Sequence, residues 1–235
     1  MKKTFTLAAI VLLAGLVCAI KASAWEVEYN ASSGVLPTAA SPPWKLYRYG
    51  DPTPTISDGV LRIQHVAAGN YVEYGRECWA IDRGVPVTME ARMWVAAFSG
   101  APRLSIQTQG CYADFFIYPD HLSAHDWNNG WIPIASSGDF STPRTIRFAY
   151  DGGSRAYVWV DGQMALSFAL APTNGQNGVT FGSYGGAASS DSYWQYVAYS
   201  KEFLPVPEPA TLIALAPLSL LTGAGLVRKR PTKRG

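Results

Sequence analysis

The chain has little of what most enzymes and metalloproteins use. Its 235 residues hold three cysteines and three histidines, and charged residues are only 15% of the total. No CxxC occurs, and a zinc site would need more ligands than the chain brings together in any one motif. His121 and His125 in "DHLSAHD" stand four apart beside Asp120 and Asp126. On a helix they could share a metal, but the glutamate of an HExxH site is missing, and a solvated polar loop is the expectation. No serine sits in a nucleophile elbow. No glycine loop cradles phosphate, since Gly185-Gly186 reads as a turn. Catalytic residues, metal and cofactor are therefore all expected to be absent. There is also no long segment of 3.6-residue period and no internal repeat.

What the chain does have is two apolar ends. Residues 1–24 read as a signal peptide: Lys2 and Lys3 precede an apolar run from Leu7 to Ile20, and Ala22 and Ala24 flank Ser23 in an A-x-A cleavage pattern. The run is short for a retained membrane anchor. Leu16-Val17 before Cys18 does not suit a lipoprotein. At the other end, Leu212 to Val227 is apolar apart from Ser219 and Thr222, and Arg228, Lys229 and Arg230 follow. With Ala210 and Thr211 it is just long enough to cross a bilayer as a helix, with the basic cluster on the cytoplasmic side and the body outside. The ends also carry the basic charge. The whole chain is +2, but residues 25–207 hold 11 basic and 16 acidic residues, a net of −5. A nucleic-acid partner is not supported.

Val206-Pro207-Glu208-Pro209, then the apolar helix, then Arg228-Lys229-Arg230, resembles the PEP-CTERM sorting signal of exopolysaccharide-producing Gram-negative bacteria. That resemblance covers about the last 30 residues. It implies export by the Sec route, transient inner-membrane anchoring, cleavage by an exosortase-like membrane protease, and a cell-surface or extracellular destination. In that oxidising compartment the two cysteines of the body, Cys78 and Cys111, are expected to pair.

The body, residues 25–204, is one domain between the signal peptide and the sorting signal at 205–235. It consists of short β-prone runs broken by Gly, Pro, Asn and Asp. In "VTMEARMWV", Val87, Met89, Ala91, Met93 and Val95 fall on one face, and Gln64 and His65 fall on opposite faces. Asp151-Gly152-Gly153 and Asp161-Gly162 supply the positive φ of tight hairpins. About ten short strands argue an all-β antiparallel sandwich. The order of "ISDGVLRIQ", "PVTMEARMWV", "RTIRFAYD…AYVWVDGQ" and "VTFGSYG…YWQYVAYS" resembles the concanavalin A-like jelly roll, in its laminin G-like branch. The fold class expected is thus a two-sheet jelly-roll sandwich flanked by a signal helix and a C-terminal transmembrane helix.

Hydrolases of that fold place carboxylates in a Glu-x-Asp-x-(x)-Glu string, which is absent. Glu73, Glu77 and Glu90 read as surface carboxylates. Lyases cluster Arg, Gln, His and Tyr on one sheet, and "RIQHV" offers these without the right spacing. Binding has more support. "HDWNNGW" sets Trp127 and Trp131 beside Asp126, Asn128 and Asn129, where rings could stack on sugars while polar groups satisfy hydroxyls. The bland alternative folds those tryptophans onto the core, as expected for Trp159 and Trp194. The reading reached from sequence is a non-enzymatic exported domain associated with exopolysaccharide or another glycan. The alternative is a hydrolase or lyase of the same fold.

Overall fold

A computed structural model describes residues 25–77, 81–82, 84–97, 102–109, 111–126, 130–170, 178–184 and 189–205. The two ends, Cys78 and Trp127 to Asn129 therefore lie outside the described residues. Among the described residues no helix is long and apolar enough to cross a membrane.

The described chain forms fifteen strands and two short 3₁₀ turns. One sheet runs β10 (Gly130–Ser137), β9 (His121–Asp126), β8 (Cys111–Ile117), β7 (Pro102–Thr108), β14 (Gly178–Tyr184), β5 (Tyr71–Arg76), β2 (Lys45–Tyr49). The other runs β13 (Gln163–Ala169), β12 (Arg155–Val160), β11 (Arg144–Tyr150), β6 (Val87–Ala97), β15 (Ser190–Ser200), β4 (Val60–His65), β3 (Thr55–Ser57). β1 (Val27–Asn30) also pairs with β15. Every ladder between these strands is antiparallel.

The expected all-β, two-sheet architecture is thus present, with more strands than the ten expected. Part of the excess comes from "DHLSAHD", expected as a loop, which is strand β9. β9 pairs antiparallel with β10, Asp126 opposite Gly130.

Alternation explains how the sheets meet. Val87, Met89, Ala91, Met93 and Val95 of β6 are all fully buried, as the pattern requires. Leu61, Ile63 and His65 point inward from β4, while Gln64 is half-exposed. The hairpin turns follow from local chemistry. Asp151 Oδ1 accepts from the amides of Gly153 and Arg155 at 2.8 and 3.1 Å, and Asp161 (φ 48°) and Gly162 (φ 83°) make a two-residue turn.

Between the sheets lies an aromatic core. Phe181 of β14 packs 5.1 Å from Trp194 of β15, 5.3 Å from Tyr74 of β5 and 5.0 Å from Trp44, and Phe115 of β8 lies 5.7 Å from Phe148 of β11. The Trp194 indole N–H donates to Ser192 Oγ at 3.0 Å. Trp159, also expected in the core, is buried differently. It lies on the outer face of its sheet beneath Phe203 and beside Tyr157.

Trp194 touches both sheets, so Trp194→Ala should cost about 3–5 kcal/mol in unfolding free energy. Chemical denaturation of the variant would measure it, and a loss below about 1 kcal/mol would remove Trp194 from the centre of the core.

Candidate functional site

The outer face of the seven-stranded sheet carries charge where water would ordinarily be. On β5, β7 and β8 the inward residues are Val72 and Tyr74, Leu104 and Ile106, Ala113 and Phe115. The alternate positions hold Glu73, Arg103, Ser105, Gln107 and Asp114, and these too are buried, Asp114 completely and Arg103 to 2% exposure. Arg103 is the hub. Its Nε and Nη2 donate to Glu73 Oε1 and Oε2 at 2.6 and 3.1 Å, and its Nη1 donates to Asp114 Oδ2 at 2.6 Å. The Tyr112 hydroxyl also hydrogen-bonds to it.

The register shows how one side chain reaches so far. Glu73 and Arg103 are not on neighbouring strands. Both face Gly182 of β14, the strand between them. A Cβ on Gly182 would sit 2.3 Å from Val72 O and 2.8 Å from the Glu73 Cα, and its φ of 140° suits glycine alone. With no side chain there, the guanidinium crosses β14 and clamps Glu73. In the next row, Gly75 leaves room for the Tyr47 ring, 3.0 Å from where its Cβ would be.

Two carboxylates around one guanidinium in a buried place leave one negative charge in excess. Burial pushes the Glu73 carboxyl above its usual 4.5, with Asp114 adding to the rise and Arg103 opposing it. Burial also works against the Arg103 charge, but Glu73 and Asp114 outweigh it and raise that group. Because an arginine does not deprotonate in proteins, proton uptake falls on the carboxyl side, at Glu73. Tyr112 is pushed up to about 12, chiefly by burial and then by Asp114. Thr180 Oγ1, on the same face and buried, makes no hydrogen bond.

Around this floor stand half-buried rings: Tyr47 on β2, Tyr71 on β5, Tyr112 and Phe116 on β8, His125 on β9. Tyr49, 65% exposed, stacks on Tyr71 at 6.2 Å and 24°, and the Lys45 ammonium lies 4.9 Å over the Tyr47 ring. This is an aromatic rim over a polar floor. It is poorly suited to glycoside hydrolysis, which needs two carboxyls open to substrate. Glu73 and Asp114 are closed off and held by the same guanidinium.

The sequence-derived candidates are placed as follows. Asp126 and Trp131 occupy the facing ends of β9 and β10, at the edge of this same sheet, where Gly130 pairs with Asp126 and Trp131 with His125. Trp127, Asn128 and Asn129 lie outside the described residues. His121 and His125 share the outer face of β9, but four strand residues separate them by roughly 13 Å, too far for one metal. His121 instead stacks on Tyr118 at 4.3 Å and hydrogen-bonds to Asp120.

The expectation that Glu73 and Glu90 are surface carboxylates is corrected. Glu73 belongs to the buried cluster. Glu90 is 9% exposed, paired with Arg147 at 2.6 Å and accepting from the Tyr196 hydroxyl at 2.7 Å. Glu77 is half-buried and accepts from the Tyr199 hydroxyl and Lys201. The Arg103 cluster escaped sequence reasoning because its members come from three strands. The one usable signal was Gly182 inside "VTFGSYG", since a glycine within a strand often marks a close approach.

No known protein family and no curated protein matches the chain. Solved structures do. A sialidase aligns with a TM-score of 0.57 at 10% identity, over 75% of this chain and 18% of that one. The binding domain of botulinum neurotoxin serotype G aligns at 0.56 and 10% identity, over 82% and 51%. The binding domain of botulinum neurotoxin DC, solved in complex with SialylT, aligns at 0.54 and 10% identity, over 84% and 52%. The chain thus spans about half the length of the neurotoxin domains and less of the sialidase. At this identity the likeness establishes a shared β-sandwich fold.

The cluster makes an asymmetric prediction. Arg103→Leu removes the cation that both buried carboxylates share and should cost about 3–5 kcal/mol. Glu73→Gln keeps an acceptor and leaves Arg103 and Asp114 as a one-to-one pair, so it should cost far less. With its folded titration point raised, Glu73 contributes stability that is present below 4.5 and lost as pH rises through the raised value. Glu73→Gln should flatten the pH–stability curve in that window, and an unchanged slope would place the proton elsewhere.

Proposed function

We propose that the chain is an exported, non-enzymatic domain that holds polysaccharide on the outer face of its seven-stranded sheet. The observation that carries this reading is the rim of Tyr47, Tyr49, Tyr71, Tyr112 and Phe116 around a buried polar floor. Aromatic faces stack on the apolar faces of sugar rings, and polar groups between them satisfy hydroxyls. The excess of 16 acidic over 11 basic residues in 25–207 favours a neutral glycan over an anionic one. Trp131 takes the register position opposite His125 at the β10 edge of this sheet, so the reading extends to the "HDWNNGW" stretch, while Asp126 is in register with the inward Ala113. The likeness to a sialidase and to neurotoxin binding domains, one solved with SialylT, is compatible with a jelly roll of the concanavalin A-like kind.

For location, the reading rests on the sequence of the two ends. A signal peptide at 1–24 and a sorting signal built on Pro207-Glu208-Pro209 would deliver the domain to an exosortase-like protease and then to the cell surface or beyond.

Two measurements test the two halves. Tyr49→Ala removes an exposed platform and should lower neutral-polysaccharide affinity about 5- to 30-fold, equivalent to 1–2 kcal/mol, with an unchanged melting temperature. Equal retention of parent and variant on a polysaccharide matrix would move the site off the β2 edge, and product formation would favour the hydrolase or lyase alternative. Separately, deleting residues 228–235 should block processing and mislocalise the protein. A truncated chain processed and placed like the parent would remove the sorting reading.

A further inference from the structure

Beyond Ser200 the chain is fastened to the outer face of the eight-stranded sheet. Thr88 of β6 holds the Glu202 carbonyl at 2.8 Å and the Leu204 amide at 3.0 Å. Arg147 of β11 donates to the Leu204 carbonyl at 3.0 Å, and Phe203 lies 5.2 Å from the Tyr157 ring of β12. Residues 25 and 26 sit at the same place. The Arg147 guanidinium also lies 5.3 Å from the Trp25 ring, and Lys201 bridges Glu26 and Glu77 at 3.2 Å each. β6 and β11 are middle strands of their sheet, so the chain departs from within a face and not from a rim.

The length of chain that follows limits what this face can meet. Ala210, where the apolar stretch opens, is five residues beyond Pro205. Five residues reach at most about 18 Å when fully extended. Pro207 and Pro209 keep the residues before them extended, so the connection is stiff as well as short. Headgroups take up about 5–7 Å of that reach.

The surface around the exit suits such a neighbour. Trp25, Tyr157 and Phe203 are half-buried, and Met164, beside Trp159 in the β12–β13 ladder, is 55% exposed. Tryptophan and tyrosine are the side chains that settle at headgroup depth. Much of the local charge is already paired, Arg147 with Glu90 and Lys201 with two carboxylates. Exposed charges of both signs remain, Arg155 against Glu28 and Glu202. With a net charge of −5 over residues 25–207, the surface that fits is zwitterionic and not anionic.

We propose that, before processing, the outer face of the eight-stranded sheet lies on zwitterionic lipid headgroups, with Trp25, Tyr157, Phe203 and Met164 against them. This rests on the reading of residues 210–227 as a membrane span. The face proposed for glycan belongs to the other sheet and is thereby turned away from the membrane. Pro207-Glu208-Pro209 is held at headgroup depth, within reach of a membrane protease.

The test uses the full chain in vesicles of phosphatidylcholine and phosphatidylethanolamine. Benzoylphenylalanine, a photo-cross-linker, replaces either Met164 or Tyr49, both exposed positions. Carbonate extraction first reports on the span. A chain that washes off removes the span reading and this inference together. In chains that resist extraction, illumination should give a lipid adduct at 164 and none at 49. An adduct at 49, or at neither position, overturns the inference and leaves the span reading standing.

Discussion

Phe181 is the side chain through which the two sheets hold each other. Its ring meets Trp194 from the opposite sheet, Tyr74 from its own, Trp44 from the segment before β2, and more distantly Tyr29 at 6.5 Å. Aromatic rings bury large areas and prefer tilted or offset contacts, so a cluster of five fixes separation and relative rotation together. The next residue has the opposite role. Gly182 presents nothing to the outer face, and that gap allows Arg103 to reach Glu73 across a strand. Two adjacent positions of β14 thus set the interior packing and the exterior ion cluster. They cannot be altered independently, because moving the backbone to admit a Cβ at 182 would also shift the ring at 181.

The Arg103 cluster is an expensive way to cover a sheet. Apolar residues in the same places would stabilise the fold at least as well, since desolvating three charges offsets most of their attraction. What the ions provide is fixed direction. The guanidinium holds Glu73, Asp114 and the Tyr112 hydroxyl by hydrogen bonds, and Tyr112 in turn belongs to the rim. Rings held from below lose little freedom when something settles on them, which is the condition under which a shallow surface binds well.

Much of the fold was legible because its causes are local. The five inward residues of β6 announced themselves by strict alternation. Asp161-Gly162 gave its turn through the positive φ that few residue pairs accept, and His65 and Gln64 took the opposite faces that neighbours in a strand must take. Glu73 and Arg103 stand 30 residues apart, and only the order of strands makes them partners. The sequence reading put Glu73 on the outward side of its strand, which was right, and said nothing of Arg103. It could not say that the outward side would be closed over. Glu90 was misread for the same reason, since its partners Arg147 and Tyr196 arrive from β11 and β15. Conversely, "HDWNNGW" drew attention because its aromatics and amides are consecutive. The tyrosines of β2 and β5 meet only through pairing.

The chain leaves β15 and crosses the outer face of its own sheet. Thr88 Oγ1 donates to the carbonyl of Glu202 and accepts from the amide of Leu204, Arg147 donates to the carbonyl of Leu204, and Phe203 packs edge-on against Tyr157. This path has a mechanical consequence. Tension applied beyond residue 205 meets those contacts first, spread over β6, β11 and β12. Once they yield, the load pulls along β15, which is hydrogen-bonded to β6 on one side and to β4 and β1 on the other. A central strand loaded along its length must break its ladders in shear, many bonds at once, rather than unzip one pair at a time. A domain tethered through this end would resist drag far better than one hung from an edge strand.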